Sequence, residues 1–172
     1  MREEPYNHYV ARTALPAEEL SALRDRSPLS AGTTKVSVLM VVSDQDEVWL
    51  KASVSSVLNA VYPHVELCVF DDGSGRPHVA EFLEDLAASD GRVRVARARE
   101  SVGASEARDR ALSLATGNFV MLLGAGDLLA PEAILRMLEA QQKTGADVLY
   151  ADEDSVDISD RRSAPVFKPY WS

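Results

Sequence analysis

Val65-Glu66-Leu67-Cys68-Val69-Phe70-Asp71-Asp72-Gly73-Ser74-Gly75 is the stretch whose reading decides the fold. Its first part, Val65–Phe70, is an apolar run of strand length, and its second part is turn chemistry. An apolar strand that stops on two adjacent carboxylates places charge at a strand's carboxyl end. Upstream, Val36–Val42 (VSVLMVV) is a β-branched run with little alternation. That pattern predicts a strand buried on both faces of a parallel sheet.

Helical periodicity fills the gaps between such runs. Trp49, Leu50, Val54, Val57, Leu58 and Val61 fall on one stripe, and Tyr62-Pro63 is expected to close that helix. Pro77–Ala88 carries Val79, Phe82, Leu83 and Leu86 on one face, and Val93–Ala96 follows as a short third strand. Gly103–Ala115 lines up Ala104, Ala107, Ala111 and Leu114, small residues that allow a helix close to a sheet. Phe119–Leu123 is a fourth strand, followed by the loop Gly124–Asp127. Pro131 opens a helix over Glu132–Thr144, and Asp147–Tyr150 is expected as a fifth strand. Strand and helix alternate throughout, which predicts an α/β domain over residues 35–172 with a mainly parallel sheet flanked by helices. Residues 1–34 are expected to hold a short helix, Pro16–Leu23, and a linker, Ser27–Thr34.

The chain has 172 residues, a net charge of -9, one cysteine and three scattered histidines. The acidic balance argues against a nucleic-acid surface and against docking on anionic lipid. Cys68 alone cannot form an internal disulfide, and it reads as an inert buried thiol. No run approaches the roughly 18 apolar residues of a membrane span, and Met1–Pro5 shows no apolar leader core. A cytoplasmic address is the default expectation.

Ligands of open α/β sheets bind beyond the carboxyl ends of the strands. That rule selects Ser43–Glu47, Asp71–Gly75, Gly124–Asp127 and Ala151–Asp154. Neither G-x-G-x-x-G after the first strand nor G-x-x-x-x-G-K-[ST] is present, which disfavours dinucleotide and P-loop chemistry.

These motifs, in this order, resemble family 2 glycosyltransferases of the GT-A fold. The resemblance is carried by VSVLMVV at 36–42, SSVLNAVYPHVEL at 55–67, DDGS at 71–74 and GASEARDRALSLATGNFVMLL at 103–123. YADEDSVD at 150–157, FKPYWS at 167–172 and the lead-in Tyr9–Arg12 are similar to a bacterial polysaccharide-type branch. The resemblance implies the nucleotide-binding half of an enzyme that moves a sugar, with inversion, from a nucleotide-diphosphate donor to a glycan or other hydroxyl acceptor. The chain would stop before the acceptor half, which carries the family's general base.

It also implies roles for matching positions. Asp72, with Asp71 beside it, is the candidate contact to a uracil-like base edge, because a carboxylate accepting a base N–H forms a short, directional bond. The plainer reading of Asp71-Asp72-Gly73 is a well-formed turn. Backbone at Val42 and Ser43 would line the base pocket, although this chain lacks the aromatic residue usual there. Arg108 matches the family's Ala-Arg-Asn arginine, either approaching the nucleotide or standing as an ordinary helix arginine.

The family's metal-binding Asp-x-Asp is replaced here by Gly124 and Gly126, leaving Asp127. Mg²⁺ or Mn²⁺ takes oxygen ligands, so a cation is expected only if Asp127, Asp152 and Asp154 substitute for the lost pair. Three functional readings stay open. One is an enzyme using a uridine-type nucleotide sugar and a glycan acceptor. Another is a nucleotide-binding relative without turnover. The third is a scaffold for a protein partner or a second copy, with Tyr170 and Trp171 as a docking tail.

Overall fold

The computed structural model of the chain describes residues 3–26 and 34–169. The expected docking tail at Tyr170 and Trp171, and most of the expected linker, lie outside the described residues. Two helices come first, α1 (Glu3–Thr13) and α2 (Ala17–Arg26). They are followed by β1 (Val36–Val42), α3 (Glu47–Leu58), β2 (Val65–Asp71), α4 (Pro77–Ser89) and β3 (Val93–Arg97). Next are α5 (Ala104–Ser113), β4 (Phe119–Leu122), α6 (Ala133–Thr144), β5 (Glu153–Val156) and β6 (Arg162–Val166).

β1 to β4 form one parallel sheet in the order β3-β2-β1-β4. Every residue of β2, and all but Val41 of β1, is buried. That is why their sequences run apolar without alternation. Side chains at Val36, Val38, Met40 and Val42 enter a core built with Leu50, Val54 and Val57 of α3, Val79 and Leu83 of α4, and Ile134, Leu135 and Leu138 of α6. Leu39, Cys68 and Phe70 face the other way and meet Ala107 and Ala111 of α5. Small residues on α5 let its backbone lie close over β1 and β2. The result is a three-layer α/β domain, as the alternation predicts.

The chain leaves β1 toward β2 and β3, then returns through α5 to place β4 on β1's other side. This reversal is the switch in strand order beside which such sheets hold ligands. Ser43, Asp72 and Gly124 follow the three strands that surround it.

Two expectations are corrected, and one helix is added to those expected. Residues 147–150 form no strand: Val148 is 73% exposed, and no strand pairs with β4's outer edge among the described residues. Apolar composition alone does not make a strand, because a strand also needs an edge in register to pair with. The chain instead forms an antiparallel hairpin, β5–β6, in a second sheet. The helix expected to reach Tyr62 ends at Leu58, with Asn59 as its cap, and Val61 and Tyr62 are buried beyond it. Finally, residues 3–13 form a helix that the sequence reading left undefined.

The two N-terminal helices pack on the domain. Leu20 and Leu23 of α2 join the larger core, and Arg24 donates to the carbonyls of Val61 and Ala60 at 3.1 and 3.2 Å. Tyr6 of α1 is buried and donates its hydroxyl to Asp154 at the hairpin.

Candidate functional site

The carboxyl ends of β1 and β2 are locked together. Asp72 N–H donates to the Val42 carbonyl at 2.8 Å, continuing the ladder one residue past the strand. Val42 is fully buried, whereas Ser43 is exposed and its amide donates to Gln45 Oε1 at 2.5 Å. Asp44 then adopts a left-handed backbone, φ 55°. Its Oδ1 accepts the amides of Gly75 and Arg76 at 2.8 and 3.1 Å, and its own amide donates to Ser74 Oγ at 3.0 Å. The loop after β1 is thereby tied to the loop after β2.

Asp71 and Asp72 point to different partners, as adjacent strand residues do. Asp71 is completely buried, and its Oδ1 accepts the Ser74 amide at 2.8 Å. Arg97 Nε stands 2.9 Å from Asp71 Oδ2 as an ion pair, without hydrogen-bond alignment. The same guanidinium donates to the Ser74 carbonyl at 2.7 Å. Asp72 is 6% exposed. Its Oδ1 accepts the Val102 amide at 2.6 Å and its Oδ2 the Ser101 hydroxyl at 2.7 Å. The Val102 amide, followed by the Ser101 hydroxyl, holds the Asp72 carboxyl below the usual carboxylate range. Asp72 is therefore anionic and fixed at neutral pH.

Gly73 has a steric role in this turn. Its φ is +72°, and a Cβ there would lie 2.7 Å from the backbone of Glu100 and of Ser101. Only glycine lets the segment before α5 come close enough for Ser101 and Val102 to reach Asp72.

Arg108 is exposed on α5 and is not among the groups fastened around Asp71 and Asp72. The arginines that are there are Arg97 and Arg110. Arg110 lies 5.6 Å over the Phe70 ring, and its charge adds to the stabilisation of ionised Asp72. Sequence reasoning passed over Asp44 and Arg97 as site residues. Asp44 sits inside a loop that the strand-end rule selects. Arg97 is a charge at the last position of a short strand, a signal readable only once β3 is known to border β2.

Beyond β4, the Gly124–Asp127 loop closes on itself. Asp127 N–H donates to the Gly124 carbonyl at 3.0 Å, and Gly124 N–H donates to Asp127 Oδ2 at 3.2 Å. The acidic triplet does not extend the main sheet. With residues 147–150 forming no strand, Asp152-Glu153-Asp154 runs into the hairpin instead of following a fifth strand of the main sheet. Asp152 Oδ1 accepts the Lys168 amide at 2.8 Å, and Glu153 pairs with Lys168 Nζ at 3.0 Å. Asp154 takes a two-pronged contact from Arg162, at 2.7 and 2.8 Å, besides Tyr6.

These acids do not fit a divalent cation. Asp127 has its carboxylate turned onto its own loop, Asp152 and Asp154 are engaged in the hairpin, and Gly124 and Gly126 offer no side-chain oxygen. Among the described residues, no group of three His, Cys, Asp or Glu side chains is placed to hold a metal. Nor is any helix among them long and apolar enough to cross a membrane.

Known proteins resemble this chain in sequence and fold. The O-antigen biosynthesis protein RfbC of Myxococcus xanthus is 35% identical over 157 residues, covering 91% of this chain and 12% of that protein. The UDP-Glc:alpha-D-GlcNAc-diphosphoundecaprenol beta-1,3-glucosyltransferase WfgD of Escherichia coli is 31% identical over 124 residues, 70% of this chain and 46% of that protein. Among solved structures, S. aureus TarS 1-349 in complex with UDP shares the fold with a TM-score of 0.59 at 21% identity. That match covers 66% of this chain and 33% of TarS 1-349. The chain thus spans less than half the length of each of these relatives. Residues 37–169 match the family described as Glycosyl transferase family 2, and the chain belongs to that family.

Proposed function

We propose that this chain forms the donor-nucleotide half of an inverting glycosyltransferase, with the base of a uridine-type nucleotide sugar held where β1 and β2 end. The observation that carries the reading is the pair of buried carboxylates Asp71 and Asp72, fixed beside the switch in strand order of a family 2 domain. TarS, which shares the fold, has been solved with UDP and with UDP-GlcNAc. Each Asp72 oxygen accepts a bond from the protein, and a carboxylate has about four lone-pair sites. Acceptor capacity therefore remains for a base N–H. Backbone at Val42 and Ser43 lines the same end, with Arg108 on the exposed side of α5 as a contact to the donor's phosphates or ribose.

Transfer with inversion joins an acceptor hydroxyl oxygen to the anomeric carbon as the bond to the diphosphate breaks. It needs a base to take the hydroxyl proton. None of the residues fastened at this sheet end is free for that work, so we assign the chain the donor side alone. The test is calorimetric titration with UDP and with GDP. Preferential binding of UDP supports the reading, and no heat from either sinks it.

One observation favours a protein-contacting role alongside. Val120 and Leu122 of β4 are 47% and 67% exposed, and β4's outer edge is unpaired among the described strands. Unpaired apolar edges are pairing sites for other polypeptide. Light scattering of the purified chain should show self-association weakened by Leu122→Lys if this edge is used. A monomer before and after the change would discard it.

A further inference from the structure

We infer that the nucleotide site of this chain works without a divalent cation, because the loop after β4 has been rebuilt to close on itself. The inference rests on the nucleotide-sugar reading above and concerns how that same site handles the donor's charge.

The rebuilt geometry is specific. An ideal Cβ on Gly124 would fall 2.5 Å from Asp127 Oδ2. The Asp127 carboxylate thus occupies the space that a side chain at position 124 would need. It is held there by the Gly124 amide, and the Asp127 amide returns a bond to the Gly124 carbonyl. A ligating side chain at 124 and the present Asp127 conformation exclude each other. Gly126 differs, with nothing within 4 Å of its ideal Cβ.

The neighbouring acids are also committed. A hard cation takes several oxygen ligands, so carboxylates must be turned toward one point to hold it. Asp44 spends Oδ1 on two amides, Asp71 is buried and paired with Arg97, and each Asp72 oxygen accepts one bond from the segment before α5. Turning any of them toward the β4 loop would undo the contacts that fix the two loops. Within Gly124–Asp127 only Asp127 carries a carboxylate, and one self-bonded carboxylate is a poor ligand set.

The experiment has two arms on the intact chain. The first titrates UDP in EDTA and again in excess Mn²⁺, and the dissociation constants are expected to agree within about twofold. A gain of about tenfold or more with Mn²⁺ overturns the inference. The second arm adds Mn²⁺ alone and follows paramagnetic broadening of backbone amides by NMR. No broadening centred on Gly124–Asp127 is expected in the native chain, and localised broadening there overturns the inference. Gly126→Asp is the companion variant, since its side chain has room. Broadening in the variant alone shows that the missing oxygen is what denies the cation a site. Silence in both shows that the closed loop refuses a cation whatever its side chains, which supports the same conclusion. If UDP fails to bind in either condition, the nucleotide reading falls, while the Mn²⁺ arm still decides the metal question.

Discussion

Asp72 Oδ1 accepts the Val102 amide at 2.6 Å, and this bond ties the end of β2 to the segment that launches α5. The carboxylate is therefore a structural pin as well as the candidate base contact. Its role in the fold explains why it is buried and ionised before any ligand arrives.

The two roles can be separated by substitution. Asp72→Ala should weaken UDP binding about ten- to a hundredfold, as expected for a lost hydrogen bond to a charged group. It should also raise amide exchange at Ser101–Gly103. Asp72→Asn keeps one acceptor oxygen but turns a donor toward Ser101 or Val102, so exchange should rise less. Unchanged UDP affinity in the alanine variant would leave Asp72 a pin only.

Gly73→Ala forces a Cβ against the Glu100 and Ser101 backbone at positive φ. We expect a loss of stability of about 1–3 kcal/mol from strain, measured by urea denaturation. Wild-type stability would mean that the turn relaxes without cost.

At the opposite end of the sheet, Glu66 is 2% exposed. It accepts from Ser37 Oγ and the Thr116 amide, both at 2.6 Å, and pairs with Lys35 Nζ at 2.5 Å. Burial alone would raise its pKa. The Lys35, Ser37 and Thr116 contacts outweigh that and hold it at about 2, against 4.5 for a free glutamate. A depressed carboxyl pKa stabilises the fold above the unfolded value. This contribution, on the order of 3 kcal/mol, should be complete near neutral pH and lost as pH falls from about 4.5 toward 2. Thermal melts across that range should show the loss in the native chain and a flatter profile in Glu66→Gln. Equal profiles would remove Glu66 as its source.

Tyr6 joins α1 to Asp154, whose carboxylate Arg162 also grips. Burial first, then the Asp154 hydrogen bond, pushes the Tyr6 phenol up to about 12. Two-stranded hairpins are marginal alone, so β5–β6 should depend on this anchor. Tyr6→Phe should cost about 1–2 kcal/mol and speed hydrogen exchange in Arg162–Val166 while sparing β1 and β2. Uniform acceleration across the domain would show that the hairpin and sheet unfold as one.

Much of the fold was legible in the chain because its cause is local. Val36–Val42 and Val65–Phe70 announce buried strands by unbroken apolar character. The Ala104, Ala107 and Ala111 line marks a helix that lies close to a sheet, although Ala104 itself is exposed. The Asp71–Ser74 turn could likewise be read directly, and Gly124 and Gly126 stand out only against the family that the chain resembles. Both point to the strand ends where the site is proposed.

Pairing and charge compensation were decided only by tertiary structure. Residues 147–150 have strand composition yet form none, because no partner edge meets them. Three consecutive acids at 152–154 looked like one cluster. In the fold they diverge to Lys168 and Arg162 across the hairpin and to Tyr6 from the first helix. Arg97, not Arg108, reaches Asp71 because β3 lies beside β2. Sequence determines periodicity and turn chemistry, which depend on near neighbours. Which strand finds an edge, and which carboxylate finds a cation or an amide, depends on groups brought together only when the sheet closes.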